Sequence, residues 1–275
     1  MGLTGLSIPL EKKKEEPVAP IFSDKDIEGL LEEGTSVKSD ICALLVGDPK
    51  TGKTGMALDC RTDEDKASGK KIICIELNSD NGCKINKKIF HKDDPSIIII
   101  DPREFSVNDN GDWEFDYIRT MAKIKAFLAY VKKNIDKLNV KSIVFDGADV
   151  YLSEVCENQM RMDEHLDVSG GVKMTFWKKR NKYFYDVMNL LFTIDVDKYI
   201  ITHYKKDEAG NKIYSIQANF PDKMHQVIEF RKDTKTNKHY AKIVDDRRDK
   251  PTVLNVDTII MEVIDGKKTW KGMRL

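Results

Sequence analysis

Apolar and polar positions along this chain fall into blocks that predict strands and helices in turn. Short apolar runs, typical of strands buried in a parallel sheet, occupy residues 41–46, 70–77, 97–100, 142–146 and 199–202. We expect the run from Ile97 to Ile100 to be buried on both faces, because all four residues are isoleucine. The pattern therefore predicts a sheet built largely from parallel strands.

Longer stretches with an apolar residue at every third or fourth position predict the helices that connect these strands. Such stretches cover residues 53–66, 118–138 and 172–193. The segments 81–95 and 151–171 are polar, and we interpret both as loops. A further short helix is predicted to begin at the capping residue Ser23 and to end before Gly34.

The alternation of strand and helix over residues 41–202 predicts an α/β fold with a mostly parallel, doubly wound sheet. After residue 211 short strands and turns follow, and Asp265-Gly266 between two apolar runs predicts a β-hairpin, so we expect antiparallel strands at the C-terminal edge. Residues 1–22 are charged and interrupted by proline, which predicts a flexible arm. The rest, 23–275, is predicted to be a single domain, with its core at 35–255 and a C-terminal hairpin at 256–275.

The composition excludes a strong overall attraction to nucleic acid or membrane. Lysine plus arginine and aspartate plus glutamate each number 46, so the formal net charge is zero and any such binding must come from a local patch. The sequence contains neither a signal-peptide core nor an apolar run long enough to span a membrane, so we expect a cytoplasmic protein without a membrane partner. The five cysteines form no C-x-x-C pair, which favours reduced thiols over a zinc site.

The sharpest motif in the sequence directly follows the first apolar run. Residues 47–54 fit the pattern G-x-x-x-x-G-K-S/T. Together with the next residue, the expected nucleotide-binding residues are Gly47, Asp48, Pro49, Lys50, Thr51, Gly52, Lys53, Thr54 and Gly55. In such a phosphate loop the backbone N–H groups surround the α- and β-phosphates, and the lysine reaches the β- and γ-phosphates. The hydroxyl of Thr54 is the expected Mg²⁺ ligand, so ATP and Mg²⁺ are the expected cofactors.

The acid that ends a later strand narrows the class of phosphate-loop protein. Asp146 closes the strand after the long helix at 118–138, where a carboxylate holds Mg²⁺. The next residue is Gly147, whereas ABC, AAA-type and many helicase ATPases carry a glutamate there, which disfavours those classes. A GTPase is disfavoured because Asp149 stands where its D-x-x-G switch needs glycine. A kinase lacks support because no acceptor lid of acids and arginines is evident.

In the order and spacing of these segments the chain resembles the RecA superfamily over roughly residues 35–255. The likeness rests on Gly47 to Thr54, Ile73 to Glu76, Ile143 to Asp146, Ile200 to His203 and Val244 to Arg248. The layout looks most like the single-domain RecA-fold ATPases of phages and of archaeal viruses or plasmids, some of which are single-strand-annealing recombination proteins. The resemblance implies a RecA-like fold and a protein that assembles as a ring or filament. It also implies that the protein is encoded by a virus or plasmid and acts in the cytoplasm of its host.

The resemblance also implies catalytic roles outside the phosphate loop. Either Glu76 or Asp80 polarises the attacking water, or hydrolysis is weak. His203 matches a polar residue that senses the γ-phosphate. Arg247 and Arg248 lie where related ATPases send basic fingers into a neighbouring subunit's nucleotide site, although the acids beside them offer simple ion pairs as the alternative.

RecA-like proteins bind single strands through two loops, which leads to two functional hypotheses. The first loop, 151–171, is acidic and makes a poor groove for phosphates. The second loop, 204–224, combines cations with aromatic rings, and its candidate DNA-binding residues are Tyr204, Lys205, Lys206, Lys212 and Lys223. The leading hypothesis is an ATPase that acts on single-stranded DNA in recombination, annealing or replication. The alternative is a nucleotide-gated oligomeric switch that binds proteins and not DNA.

Overall fold

Thirteen strands are present in the part of the chain that the computed structural model describes, which is residues 41–108, 110–166, 170–248, 253–264 and 267–272. All of these residues belong to one compact unit. In chain order the strands are β1 (Cys42–Gly47), β2 (Lys71–Glu76), β3 (Ile97–Ile100), β4 (Phe105–Val107), β5 (Trp113–Phe115), β6 (Val140–Asp146), β7 (Asp197–Thr202), β8 (Tyr204–Lys206), β9 (Lys212–Tyr214), β10 (Gln226–Asp233), β11 (Lys238–Asp246), β12 (Thr258–Ile264) and β13 (Lys267–Trp270).

Helices of very different length connect these strands. They are α1 (Lys53–Ala57), α2 (Asp63–Ala67), α3 (Gly82–Phe90), α4 (Tyr117–Lys133), α5 (Ile135–Leu138), α6 (Ala148–Val150), α7 (Glu157–Asp163) and α8 (Met174–Phe192). A π-helical segment, Tyr151–Cys156, joins α6 to α7, and a single 3₁₀ turn covers Pro221–Lys223.

Nine of the described strands form one sheet in the order β13-β12-β11-β10-β1-β7-β6-β2-β3. The strands from β10 to β3 in that order run parallel, whereas β11, β12 and β13 are added antiparallel at one edge. Strands β4–β5 and β8–β9 form two separate hairpins. The predicted fold class, an α/β fold with a mostly parallel sheet and antiparallel C-terminal strands, is confirmed.

Helices cover both faces of the parallel strands and make two hydrophobic cores. On one face α4 and α8 pack their apolar sides, including Ile124 and Phe184, against alternate residues of β1, β6 and β7. On the other face α1 and α3 pack through residues such as Met56 and Cys83. Because side chains alternate between the two faces, the central strands must be apolar throughout, which is why their sequences read as unbroken apolar runs.

The helix predicted over residues 53–66 is wrong as one element, since two short helices occupy that region. Helix α1 ends at Ala57, and a new capping box starts α2, with Thr62 accepting from the Asp65 N–H and Asp65 accepting from the Thr62 N–H. Between the helices, Arg61 turns inward and donates to the Lys70 carbonyl oxygen and to Asp94. These tertiary contacts break the helix that the apolar spacing favoured.

Two segments interpreted as loops are largely helical, and one strand is less buried than predicted. Helix α3 lies within residues 81–95, and it buries only Cys83 among its side chains, which is why no clear apolar repeat marks it. Residues 148–163 are helical throughout.

Strand β3 is the edge of the sheet and pairs only with β2, so Ile98 is 36% exposed and the strand is not buried on both faces.

The proposed division of the chain stays a prediction. The predicted arm at 1–22 and the helix from Ser23 lie outside the described residues. At the other end β12 and β13 pair antiparallel, as the expected hairpin requires, while the turn residues 265–266 lie outside the described part.

Candidate nucleotide site

The phosphate loop connects the carboxyl end of β1 to the start of α1, and its backbone leaves no room for side chains at two glycines. A methyl group at Gly47 would lie 2.6 Å from the carbonyl oxygen of Phe230 on the neighbouring strand β10. Gly52 has φ of 105°, a left-handed conformation, directly before α1 begins at Lys53. The loop can therefore curl tightly enough to present its N–H groups to an anion.

Lys53 is held inside this loop and is 4% exposed. Its ammonium donates to the carbonyl oxygens of Gly47 and Asp48, at 2.8 and 2.9 Å. Burial lowers the pKa of Lys53 to about 8, while the charges of Asp146 and Asp149 act in the opposite direction. The lysine thus lies in the loop as a desolvated cation that an incoming phosphate would stabilise.

A hydroxyl and a buried carboxylate meet beside the lysine. Thr54 Oγ1 donates to Asp146 Oδ2 at 2.8 Å, and Asn78 Nδ2 donates to Asp146 Oδ1 at 2.8 Å. Burial raises the pKa of Asp146, whereas the hydrogen bond from Thr54 acts to lower it. Hydroxyl and carboxylate oxygens suit Mg²⁺, which characteristically takes one or two protein oxygens and completes its shell with phosphates and water. The pair Thr54 and Asp146 therefore fits the predicted metal site, and no group of three or more His, Cys, Asp or Glu residues in the described part offers another.

The two candidates for the water-polarising acid lie in different places. Glu76, at the end of β2, is 2% exposed and its Oε1 accepts the N–H of Cys83 at 2.7 Å. Burial raises the pKa of Glu76. A cavity of about 400 Å³ opens in front of the phosphate loop; Asp80 and Asn78 line it, and Glu76 does not. On position alone, Asp80 is the better candidate of the two.

His203 directly follows β7 and lines the same cavity as the phosphate loop. Its Nδ1 lies 2.9 Å from Asp149 Oδ2, and Asp149 is 9% exposed with its Oδ1 lacking a hydrogen-bond partner in the described part of the protein. This contact leaves the other ring nitrogen of His203 for the cavity. Sequence reasoning missed the pairing, and the only available signal was the position of Asp149 three residues after Asp146.

The comparisons with known proteins agree with this geometry. A family model described as AAA domain matches residues 39–245. The chain belongs to the AAA domain family. It is a P-loop ATPase. The argument against AAA-type ATPases from Gly147 was wrong for this family, since the match includes residue 147 without a glutamate there.

No curated protein matches the sequence. The chain is structurally similar to the crystal structure of the KaiC-like protein PH0186 from the hyperthermophilic archaeon Pyrococcus horikoshii OT3, with 14% identity, a TM-score of 0.49, and coverage of 83% of this chain and 88% of that one. None of the described helices of this AAA-domain ATPase is long and apolar enough to span a bilayer.

The hairpin β8–β9 of this ATPase contacts the phosphate loop directly. Lys212 Nζ lies 2.7 Å from Asp48 Oδ2 and 5.2 Å from the centre of the Tyr204 ring. Three of the predicted DNA-binding residues, Tyr204, Lys205 and Lys212, line a cavity of about 930 Å³ beside the loop. Asp48 of the phosphate loop lines it too, so the larger cavity borders the loop.

The other two predicted DNA-binding residues lie outside that cavity. Lys206 is exposed at the end of β8. Lys223 stacks over the Tyr185 ring, 4.2 Å from its centre. The structure therefore brings together three of the five predicted residues.

Three cations outside the predicted DNA-binding set also line the large cavity, namely Arg180, Arg231 and Lys242. Each has an acidic partner. Lys242 lies 3.4 Å from Glu229, Arg231 lies 2.7 Å from Asp257, and Arg180 lies 3.4 Å from Glu157. The cavity is thus basic in its residue types, but carboxylates offset much of that charge.

The two candidate finger arginines lie at the opposite end of the strands from the phosphate loop. Because β11 runs antiparallel to β10, its end at Asp246 pairs with the start of β10, away from the end of β1. The Arg248 side chain is 15% exposed and donates two hydrogen bonds to buried Asp246. Arg247 is 46% exposed and bonds to Asp222 and Asp245. Burial and pairing favour a structural role for Arg248, which leaves Arg247 as the more available finger.

Proposed function

We propose that this protein is a Mg²⁺-dependent ATPase whose turnover responds to single-stranded DNA bound at the β8–β9 hairpin. The observation that carries the proposal is the ion pair between Lys212 on the hairpin and Asp48 in the phosphate loop. A polyanion that competes for Lys212 would release Asp48 and change the charge on the loop that holds the triphosphate. The DNA site and the nucleotide site are therefore coupled by one contact.

Residues already in place supply the parts that hydrolysis needs. Loop N–H groups and Lys53 would hold the phosphates, with the ammonium exchanging its carbonyl partners for phosphate oxygens. Thr54 and Asp146 would hold Mg²⁺, which neutralises charge that develops on the transferring phosphoryl group. Asp80 would orient the water and accept its proton, while His203, oriented by Asp149, would contact the γ-phosphate.

The large cavity beside the loop offers the groups that single strands use. Tyr204 and Tyr214 lie with ring centres 5.9 Å apart, and both line the cavity with Lys205 and Lys212. Base stacking on such rings is tolerant of sequence and is worth about 1–3 kcal/mol per base. Because most nearby cations already have acidic partners, we expect the binding to be weak and to decrease only moderately with added salt.

Steady-state ATP hydrolysis with and without an unstructured oligonucleotide, at low salt, tests the proposal. We expect stimulation in the unaltered protein and its loss when the hairpin tyrosine is changed by Tyr204→Ala. A protein that hydrolyses ATP but neither binds nor responds to DNA would remove the DNA part of the proposal and leave the ATPase part.

A nucleotide-gated oligomeric switch is the second candidate, and one observation favours it. The small hairpin β4–β5 exposes large apolar side chains that the described part of the chain does not cover: Phe105 is 50%, Val107 54% and Trp113 74% exposed. Such a patch marks a surface for association. Mass in solution with ATP and Mg²⁺, with and without an oligonucleotide, distinguishes the two candidates, because the switch would assemble without DNA.

A further inference from the structure

Only half of the cavity in front of the phosphate loop consists of groups that bind phosphate or metal. The rest comes mostly from α3 and from the C-terminal strands and includes the polar side chains of Asn86, Lys232 and His239. The apolar residues of α3, β12 and β13, here called the apolar half, are Ile85, Ile89, Phe90, Met261, Val263 and Trp270.

The α3 side of this apolar half is exposed, although its residues are large and aliphatic. Ile85 is 51% and Ile89 52% exposed, and their spacing of four residues places them on one face of the helix. Lysines occupy positions 84, 87 and 88 of the same helix. The helix therefore presents a pair of isoleucines to the cavity that packing within the described residues does not account for.

Contacts of Trp270 fix the position of the facing side beside the phosphate loop. Trp270 Nε1 donates to Asp59 Oδ2 at 2.8 Å, and the ring centre lies 5.7 Å from that of Phe90. A methyl group at Gly55 would lie 3.2 Å from the Trp270 ring. Because Gly55 directly follows the proposed metal ligand Thr54, the apolar half adjoins the phosphate loop.

A nucleotide whose triphosphate lies in the loop must place its base somewhere within reach, and a base is a flat group with apolar faces. We propose that the nucleobase lies in this apolar half, between the isoleucine pair of α3 and the C-terminal residues Met261, Val263 and Trp270. The inference rests on the proposed nucleotide binding. A nucleobase is the expected occupant of the apolar half, because the same cavity contains the phosphate loop.

The C-terminal side of this base site lies outside the part that the family shares. The family match ends at residue 245, whereas Met261, Val263 and Trp270 belong to β12 and β13. The extra antiparallel strands therefore contribute to nucleotide recognition in this chain. A base bound mainly through its faces should favour the larger purine over a pyrimidine, because more apolar surface is removed from water.

Binding of ATP and of inorganic tripolyphosphate, each with Mg²⁺, separates the base from the phosphates. In the double variant Ile85→Ser with Ile89→Ser we expect ATP affinity to fall about tenfold, from the loss of apolar burial, with tripolyphosphate affinity unchanged. Both residues are half exposed, so the variant should fold. The matched control is Ile118→Ser, which replaces a 60% exposed isoleucine on α4 that does not line this cavity.

Each outcome of this titration decides the question. A selective loss of ATP affinity supports the base site, and in that case CTP should bind the unaltered protein more weakly than ATP. Equal ATP affinity in the double variant and in the control overturns the base site and leaves the phosphate site intact. If the unaltered protein binds neither ATP nor tripolyphosphate, the proposed function fails and the base site fails with it.

Discussion

Lys212 and Asp48 form an ion pair of 2.7 Å across 164 positions of sequence, joining the β8–β9 hairpin to the phosphate loop. Both side chains are about half exposed, so the pair is worth less than about 1 kcal/mol and can open readily. Asp48 is also one of the carboxylates whose charge favours the protonated form of Lys53. Breaking the pair therefore changes the electrostatics of the loop without threatening the fold.

Lys212→Ala should remove the response of ATP hydrolysis to DNA while leaving stability within about 1 kcal/mol, because only a solvent-screened pair is lost. Hydrolysis rates with and without oligonucleotide measure this. Lys206→Ala is the matched control, since it removes an exposed lysine from the same hairpin outside the cavity. Equal stimulation in Lys212→Ala and in the control would show that the ion pair does not couple the sites.

Asp80→Asn should lower turnover by about a hundredfold or more with little change in ATP affinity, because it removes the proposed proton acceptor but no phosphate contact. Glu76→Gln should have little effect on turnover, since the amide oxygen can still accept the Cys83 N–H. Comparison of turnover and binding in the two variants tests the choice between the acids. The reverse pattern, a large loss in Glu76→Gln alone, would restore Glu76 as the base.

ATP affinity should fall as the pH rises above 8. The pKa of Lys53 is lowered to about 8, so above that pH the free protein holds a neutral lysine and must take up a proton to bind the triphosphate. The loss should approach about tenfold per pH unit, measured by calorimetry between pH 7 and 9.5. Lys53→Arg keeps its charge over this range and should lose the slope, even if it binds more weakly. Flat affinity in the unaltered protein would contradict the role given to Lys53.

Arg248→Ala should lower the stability of the fold, whereas Arg247→Ala should lower the turnover of ATP. Removing Arg248 takes away two hydrogen bonds to the Asp246 carboxylate, which still accepts one from Gln226, and should cost about 2 kcal/mol of unfolding free energy. Removing the exposed Arg247 should leave stability nearly unchanged and lower turnover only in assembled protein. Denaturant unfolding, together with hydrolysis measured at low and high protein concentration, tests both expectations. Unchanged activity of Arg247→Ala in the assembled state would exclude it as a finger.

Features carried by local spacing could be predicted from the sequence. The phosphate loop from Gly47 to Thr54 and the apolar strand before it depend on neighbours in the chain. The meeting of Thr54 with Asp146, 92 positions apart, could also be predicted, because the carboxyl ends of parallel strands lie on the same side of a sheet. Contacts set by distant packing could not be predicted. The pairing of His203 with Asp149 joins residues 54 positions apart, and the cations Arg231 and Lys242 join the large cavity only because β10 and β11 fold beside the hairpin.

The central claim is that the loop from Gly47 to Thr54 binds a nucleoside triphosphate with Mg²⁺. Calorimetric titration of the folded protein with ATP and Mg²⁺ tests it most directly. We predict saturable heat that weakens strongly in Lys53→Ala, a variant that should keep its fold because it removes no apolar contact. The absence of heat with any purine triphosphate, in protein shown to be folded, would contradict the account.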